Sequence, residues 1–180
     1  MKSKLLTLAM ATLFSGLAAT ALAAGSDAKN LTVQANVPAV CSLTTSTLDF
    51  GDYDPITVNA AAGADKSGTG ALNVTCTKGS STVSIALSAG GAGALPRRMT
   101  NGTDNLNYTL TLPALAAGAY TDCSGTTVWD DATNTLSPAA AFWNTGSTSA
   151  KAITVCGKIA KGQNVSTGAY ADTVVATVNF

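Results

Sequence analysis

"NLTVQANV", residues 30–37, is the stretch on which the fold depends. Its apolar residues all fall on one face of an extended chain, as Leu31, Val33, Ala35 and Val37. This alternation with polar residues is the period-two pattern of a β-strand. Pro38 ends the strand, and no hairpin turn joins it to the sequence that follows. The strand therefore belongs either to the sheet of its own domain or to the sheet of another molecule, and the segment alone leaves both open.

The residues before this strand have the features of a secretory signal peptide. Lys2 and Lys4 give a basic start, residues 5–17 are mostly apolar, and Ala21 and Ala23 form a small-x-small cleavage signal. An uncleaved membrane anchor is the alternative, but the apolar core is short for a membrane span. We therefore expect residues 1–24 to be removed and residues 25–180 to form one exported domain.

Composition favours strands and argues against several functions. The 180 residues include 10 basic and 10 acidic ones, and without Lys2 and Lys4 the net charge is about −2. This chain has no basic field to attract nucleic acid or an anionic membrane. Every acid is Asp and there is no His, so the usual proton shuttle of enzymes is absent. We expect a protein that is not an enzyme and that needs no cofactor.

The four cysteines are Cys41, Cys76, Cys123 and Cys156. An even number in an exported chain suggests disulfides, for which three connectivities exist. Order along the chain favours pairing the first with the second and the third with the fourth. A metal site is the rival interpretation, but the chain has no His and no CxxC motif, so we predict no metal.

Short apolar segments recur between turn-rich stretches and predict about seven strands in an antiparallel sandwich. The last of them has Val174, Ala176, Val178 and Phe180 on one face. A strand at the end of the chain is well placed to be an unpaired edge, and apolar edges invite pairing with other chains. The segment from Leu112 to Tyr120 could hold one short turn of helix.

Few residues suggest other chemistry. Asp52 with Asp54, or Asp130 with Asp131, could pair as carboxylates of a hydrolase, but each pair lies in a sequence typical of a solvated turn. Arg97 and Arg98 also read as a solvated turn. Trp129 and Trp143 could stack on sugars; the simpler interpretation is an edge-strand residue for the first and a core or loop anchor for the second.

A family resemblance covers nearly all of the expected mature chain. Its most specific part is the ending Y-x-D-T-V-x-x-T-V-x-F, residues 170–180. The other segments that carry it are "VCSLTTSTLDFGDYDP" (40–55), "LNVTCT" (72–77), "LNYTL" (106–110), "YTD" (120–122), "TTVWDD" (126–131) and "ITVCGKI" (153–159). With these the chain resembles the spore coat protein U family, whose members include major subunits of archaic chaperone–usher pili. One departure is "TLPALAAGA", residues 111–119, which looks like an insertion.

The resemblance implies an all-β, incomplete immunoglobulin-like sandwich that lacks its last strand. Residues 25–37 would be the donor segment, with Leu31, Val33, Ala35 and Val37 pointing into a neighbour's groove, and residues 38–180 the pilin domain. A periplasmic chaperone would hold the C-terminal strand and the carboxylate of Phe180, and an outer-membrane usher would exchange it for the next subunit. The implied product is a secreted surface fibre of identical or related subunits that supports adhesion or biofilm formation. A spore or cyst coat protein and a carbohydrate-binding surface module are the alternatives.

Overall fold

The computed structural model describes residues 25–143 and 149–180, so the predicted signal peptide lies outside the described residues. The chain divides into two units, one ending at Asn36 and the other spanning Val37–Phe180. In the first unit, residues 25–36 form neither helix nor strand and are exposed throughout.

The second unit is built almost entirely of strands. Its described elements are β1 (Cys41–Thr45), β2 (Lys66–Cys76), β3 (Ser84–Leu87), β4 (Arg97–Thr100), β5 (Asn105–Thr111), β6 (Ala114–Ala116), β7 (Ala119–Asp122), α1 (Ala140–Trp143), β8 (Lys151–Ile159) and β9 (Ala176–Asn179). Alternating apolar residues explain the central strands: in β5, Leu106, Tyr108 and Leu110 are buried and face the core.

The strands form two sheets. The larger has the order β1-β2-β8-β5-β4, with β7 also touching β8 and β6 pairing with β7. The smaller pairs β3 with β9. Pairing is antiparallel except for the single contact between β7 and β8. One apolar core draws residues from both sheets, including Leu72, Val74, Ile85, Leu110 and Ile153. Since the strands share this core, the antiparallel sandwich expected from the sequence is confirmed.

Two disulfides cross-link the domain. Cys41 bonds to Cys76, its partner in the register between β1 and β2. Cys123 bonds to Cys156 and ties the segment after β7 to β8. Both pairs are the ones that the order of the cysteines along the chain favoured. Each closes a loop of over 30 residues, which in the chain-entropy account stabilises the fold by about 4 kcal/mol.

The insertion near residues 111–119 is a β-hairpin, so the short helical turn considered for residues 112–120 is wrong. Strands β6 and β7 pair through Leu115 with Tyr120 and Ala116 with Ala119. Both turn residues have positive φ, at 49° for Ala117 and 83° for Gly118. Two such residues form the turn whose twist matches paired strands. The helix propensity of the alanines is overridden because this turn returns the chain to strand pairing.

Arg97 and Trp129 form a buried polar core, so placing Arg97 in a solvated turn is wrong. Both side chains are 0% exposed. The guanidinium of Arg97 donates to the carbonyls of Leu87, Ser88 and Trp129 at 2.7–2.9 Å. Burial lowers the pKa of Arg97 from its ordinary value. The three carbonyls compensate part of the buried charge through Nε and Nη2, while Nη1 has no hydrogen-bond partner among the described residues.

Candidate functional site

An apolar cleft opens along one side of the sandwich. Residues 45–50 form one wall and residues 170–176 the other, around a cavity of about 390 Å³. The floor is core: Leu72 of β2, Leu87 of β3, Leu110 of β5 and Val155 of β8 all line it. The cleft therefore reaches down to the hydrophobic core between the two sheets, where these four floor residues are 2–7% exposed.

The cleft continues into a second cavity of about 800 Å³ between residues 48–56 and 165–170. The two cavities share Leu48, Phe50, Met99 and Tyr170, so together they form one long groove. From the first cavity to the second, the first wall runs from residue 45 to residue 56 and the second wall from residue 176 back to residue 165. The two walls therefore run antiparallel. A groove bounded in this way has the shape that an extended strand would fill.

Two glycines allow the first wall to pack closely against the large sheet. Gly68 of β2 and Gly157 of β8 are partners in register, directly beneath Leu48 and Phe50. A Cβ at Gly157 would lie 2.8 Å from the ring of Phe50 and 2.9 Å from the side chain of Leu48. Only glycine permits this close approach, so the glycines set the depth of the wall.

The backbone of the first wall lacks a strand partner over part of its length. Ser46 still donates its N–H to Ala71 of β2 at 2.9 Å. From Thr47 to Phe50, no backbone–backbone hydrogen bond forms with any residue in the described ranges. These amide and carbonyl groups are available to another strand.

The second wall presents an open strand edge. Ser88 donates its N–H to the carbonyl of Val175 at 2.9 Å, and the pairing of β3 with β9 continues this register. Residues in an antiparallel pair alternate in the edge to which they bond. The backbone groups of Val174, Ala176 and Val178 therefore point away from β3, while their side chains are half-buried against the core.

The structure locates the residues that the sequence singled out. Val174 and Ala176 line the second wall, and Val178 continues the same edge within β9. Phe180, just beyond β9, is 52% exposed. In the N-terminal unit Leu31 and Val33 are 84–86% exposed, and Ala35 is exposed too. Val37, the first residue of the second unit, is 76% exposed. Sequence reasoning did not identify the wall formed by Leu48 and Phe50 or the floor of the cleft. In an extended chain the "LDFG" run, residues 48–51, puts Leu48 and Phe50 on one face. Only the register between β2 and β8 shows that this face covers Gly68 and Gly157.

The tryptophans do not form a sugar-binding surface. Trp129 is 0% exposed and donates its indole N–H to the carbonyl of Ile85 at 2.9 Å. Trp143 is 4% exposed and packs edge-on against Phe142. Placing Trp129 on an edge strand is therefore wrong, whereas the interpretation of Trp143 as an anchor agrees with its burial. Neither ring presents a face for stacking on a sugar.

The candidate carboxylate pairs serve local turns. Asp54 accepts hydrogen bonds from the amides of Ile56 and Thr57 and from the Thr57 hydroxyl. Asp130, unlike a solvated turn acid, is 9% exposed and accepts from the amides of Ala132, Thr133 and Asn134. These bonds satisfy the carboxylates within their own loops, as expected for turn-forming Asp.

The hydrogen bonds to Asp130 make the stability of its loop sensitive to acid. Hydrogen bonds, first that from the Asn134 amide, lower the pKa of Asp130 to about 2. Since this pKa lies below the unfolded value of about 4, the stabilisation is full above pH 4 and is lost as the pH falls towards 2. We expect D130N to reduce the loss of stability between pH 4 and pH 2, measured by urea unfolding at each pH. D131N controls for the removal of one negative charge; equal slopes for D130N and the parent chain would contradict the assignment.

The described residues contain no group of three or more His, Cys, Asp or Glu side chains placed to hold a metal ion. Over the same ranges, no helix is long and apolar enough to cross a membrane.

Comparison with solved structures bears on the fold. The crystal structure of the CsuC–CsuE chaperone–tip adhesion subunit pre-assembly complex, from the archaic chaperone–usher Csu pili of Acinetobacter baumannii, is similar with a TM-score of 0.51 and 17% identity. The alignment covers 80% of this chain and 40% of that one, so this chain spans less than half of its length. The likeness confirms the predicted all-β, immunoglobulin-like fold.

Comparison of sequences identifies the family. The profile of the spore coat protein U domain matches residues 27–177. Protein U of Myxococcus xanthus is 39% identical over 163 residues, which cover 84% of this chain and 83% of that protein. With a family match over most of its length and a relative this similar, the chain belongs to the spore coat protein U family.

Proposed function

We propose that this protein is a structural subunit of a secreted surface fibre, an archaic chaperone–usher pilus, and that it polymerises by donor-strand exchange. The observation that carries this proposal is the open cleft, whose walls are antiparallel and whose edges have unpaired backbone groups. A strand laid between Thr47–Phe50 and the edge formed by Val174 and Ala176 would bond to both walls and cover the core residues that line the cleft.

The N-terminal segment has the chemistry of the missing strand. Leu31, Val33 and Val37 are large, apolar and exposed, and each contributes about 1.5–3 kcal/mol when fully buried. Ala35 contributes less and suits a shallow place on the cleft floor. Each main-chain hydrogen bond adds about 0.5–1.5 kcal/mol. A neighbouring subunit's segment, entering as one strand, would have to unzip completely to leave.

Assembly by this route involves two further partners before the fibre is complete. A periplasmic chaperone would cover the cleft by pairing with Val174, Ala176 and Val178, near Phe180. An outer-membrane usher would then exchange that chaperone strand for the donor segment of the next subunit. The solved relative is a chaperone–subunit complex, and a signal peptide over residues 1–24 would give this chain access to the periplasm.

The fibre's role would be adhesion or biofilm formation. A spore or cyst coat is the second candidate, favoured by the family's description and by the 39% identity to Protein U of Myxococcus xanthus. Immunoelectron microscopy of vegetative and encysted cells separates the two, because pili would extend from growing cells and a coat would surround only spores or cysts.

Grafting the donor segment tests the proposal on a single chain. A copy of "GSDAKNLTVQANV", residues 25–37, attached after Phe180 through a flexible linker should fill the chain's own cleft. We expect a monomer that unfolds at a clearly higher urea concentration than the parent chain, because the graft pairs with both walls and covers the core residues that line the cleft. The matched control is a graft with Asp at the positions of Leu31 and Val33. Equal stability of the two grafted chains would contradict the missing-strand proposal.

A further inference from the structure

The second wall of the cleft changes sheets along its length. Ala171 exchanges two backbone hydrogen bonds with Thr100 of β4, at 3.0 and 3.2 Å, and so joins the large sheet. Four residues later, Val175 bonds to Ser88 at the end of β3 and joins the small sheet. Between these two positions the wall crosses from one sheet to the other without a continuous ladder.

Asp172 anchors the segment that crosses between the two sheets. Its carboxylate accepts hydrogen bonds from the Tyr108 hydroxyl at 2.6 Å, from the Gly91 amide at 2.7 Å and from the adjacent Thr173 amide at 2.7 Å. Tyr108 belongs to β5 of the large sheet, and Gly91 follows β3 of the small sheet. One side chain therefore connects both sheets to the wall at the point where the backbone ladder is interrupted.

The surroundings fit this carboxylate closely. A Cβ on Gly90 would lie 2.2 Å from Oδ2 of Asp172, so the loop after β3 can approach only as glycine, and Gly90 has a φ of 79°. Burial, followed by the hydrogen bond to Asp172, raises the pKa of Tyr108, which keeps its hydroxyl protonated and able to donate. Asp172 itself lines the cleft and is half-buried.

We propose that Asp172 is a positioning residue for donor-strand uptake, an inference that rests on the proposed function. By fixing the crossing between Ala171 and Val175, it holds the open edge of Val174 and Ala176 in place before any strand arrives. Preorganising a strand edge removes an ordering cost from binding. Loss of the carboxylate should therefore weaken uptake of the donor more than an equally disruptive change elsewhere.

The test measures binding of a fluorescently labelled peptide with the sequence of residues 25–37 to the full chain. We expect D172N to weaken peptide binding by about tenfold, because a neutral amide replaces the charge-assisted hydrogen bonds of the carboxylate with weaker ones. The matched control is D130N, since Asp130, like Asp172, accepts hydrogen bonds from backbone amides but lines neither cavity of the cleft. Hydrogen exchange at the amides of Ala171 and Val175, without peptide, should accelerate in D172N and not in D130N.

The outcomes separate the two proposals. If the parent chain does not take up the peptide, the donor-strand function is wrong and the role of Asp172 falls with it. If the parent binds and D172N binds equally well, or if D130N loses as much as D172N, the positioning role is wrong and the function stands. Should D172N not fold, Y108F removes a single donor to the carboxylate, and unchanged peptide binding and exchange in Y108F would overturn the inference.

Discussion

Replacing Val33 with Asp will abolish fibre formation, whereas replacing Thr32 with Asp will leave it nearly unchanged. Val33 lies at the centre of the apolar face of the N-terminal segment, and Thr32 lies on the polar face. In the proposed fibre V33D places a carboxylate on an apolar floor that offers no cation, since neither Lys nor Arg lines the cleft near Leu72, Leu110 and Val155. Burying an unpaired charge costs several kcal/mol even after relaxation, enough to prevent the exchange.

Electron microscopy and sedimentation of the purified chains measure this difference. The two variants carry the same added charge on neighbouring residues, so solubility and net charge are matched. Because residues 25–36 lie outside the folded unit, both variants should keep the same unfolding curve. Fibres of normal length from V33D would rule out insertion of this face. Loss of assembly in both variants would show that the segment acts by something other than its apolar side.

Replacing Trp129 with Ala will destabilise the domain by about 3–5 kcal/mol, as found for large aromatic residues in cores. Its side chain is fully buried, and its indole donates to the carbonyl of Ile85. Since whole domains are stable by only about 5–15 kcal/mol, this loss would remove a large part of the domain's free energy of unfolding. Urea unfolding of the full chain measures it.

W129F is the matched variant, because it keeps an aromatic ring in the core and removes the indole donor. The Ile85 carbonyl keeps its bond from the Leu136 amide at 2.9 Å, so W129F should cost much less than W129A. A sugar-stacking Trp on the surface would behave differently, because exposed substitutions usually change stability by about 0.5 kcal/mol or less. A cost that small for W129A would contradict the buried role assigned to this residue.

The strands were predictable where local alternation matches burial. In β5, the buried Leu106, Tyr108 and Leu110 alternate with Asn107 and Thr109, as the sequence indicated. The same holds for β9, whose apolar residues lie on one face. Such patterns need no knowledge of the partner strand, because the two-residue period fixes which side chains face the core.

Arg97 and the cleft were not predictable in this way. A charged side chain is normally exposed, and the carbonyls of Leu87, Ser88 and Trp129, from two other segments, make Arg97 the exception. The wall formed by Leu48 and Phe50 likewise depends on Gly68 meeting Gly157 across two strands. Neither the hydrogen bonds of Arg97 nor the packing of this wall on the two glycines can be inferred from the local sequence. Both depend on how separate segments of the chain are placed against each other.

The disulfide between Cys41 and Cys76 has a mechanical consequence for a fibre joined through N-terminal segments. Tension on such a fibre would enter each domain through Pro38 and reach Cys41, the first residue of β1. There the covalent bond passes the load directly to the end of β2, a long strand paired with β8 over nine residue positions. Because the disulfide carries the load, pulling cannot break the hydrogen bonds between β1 and β2 one at a time. The edge strand β1, which would receive the force first, is therefore relieved of that force.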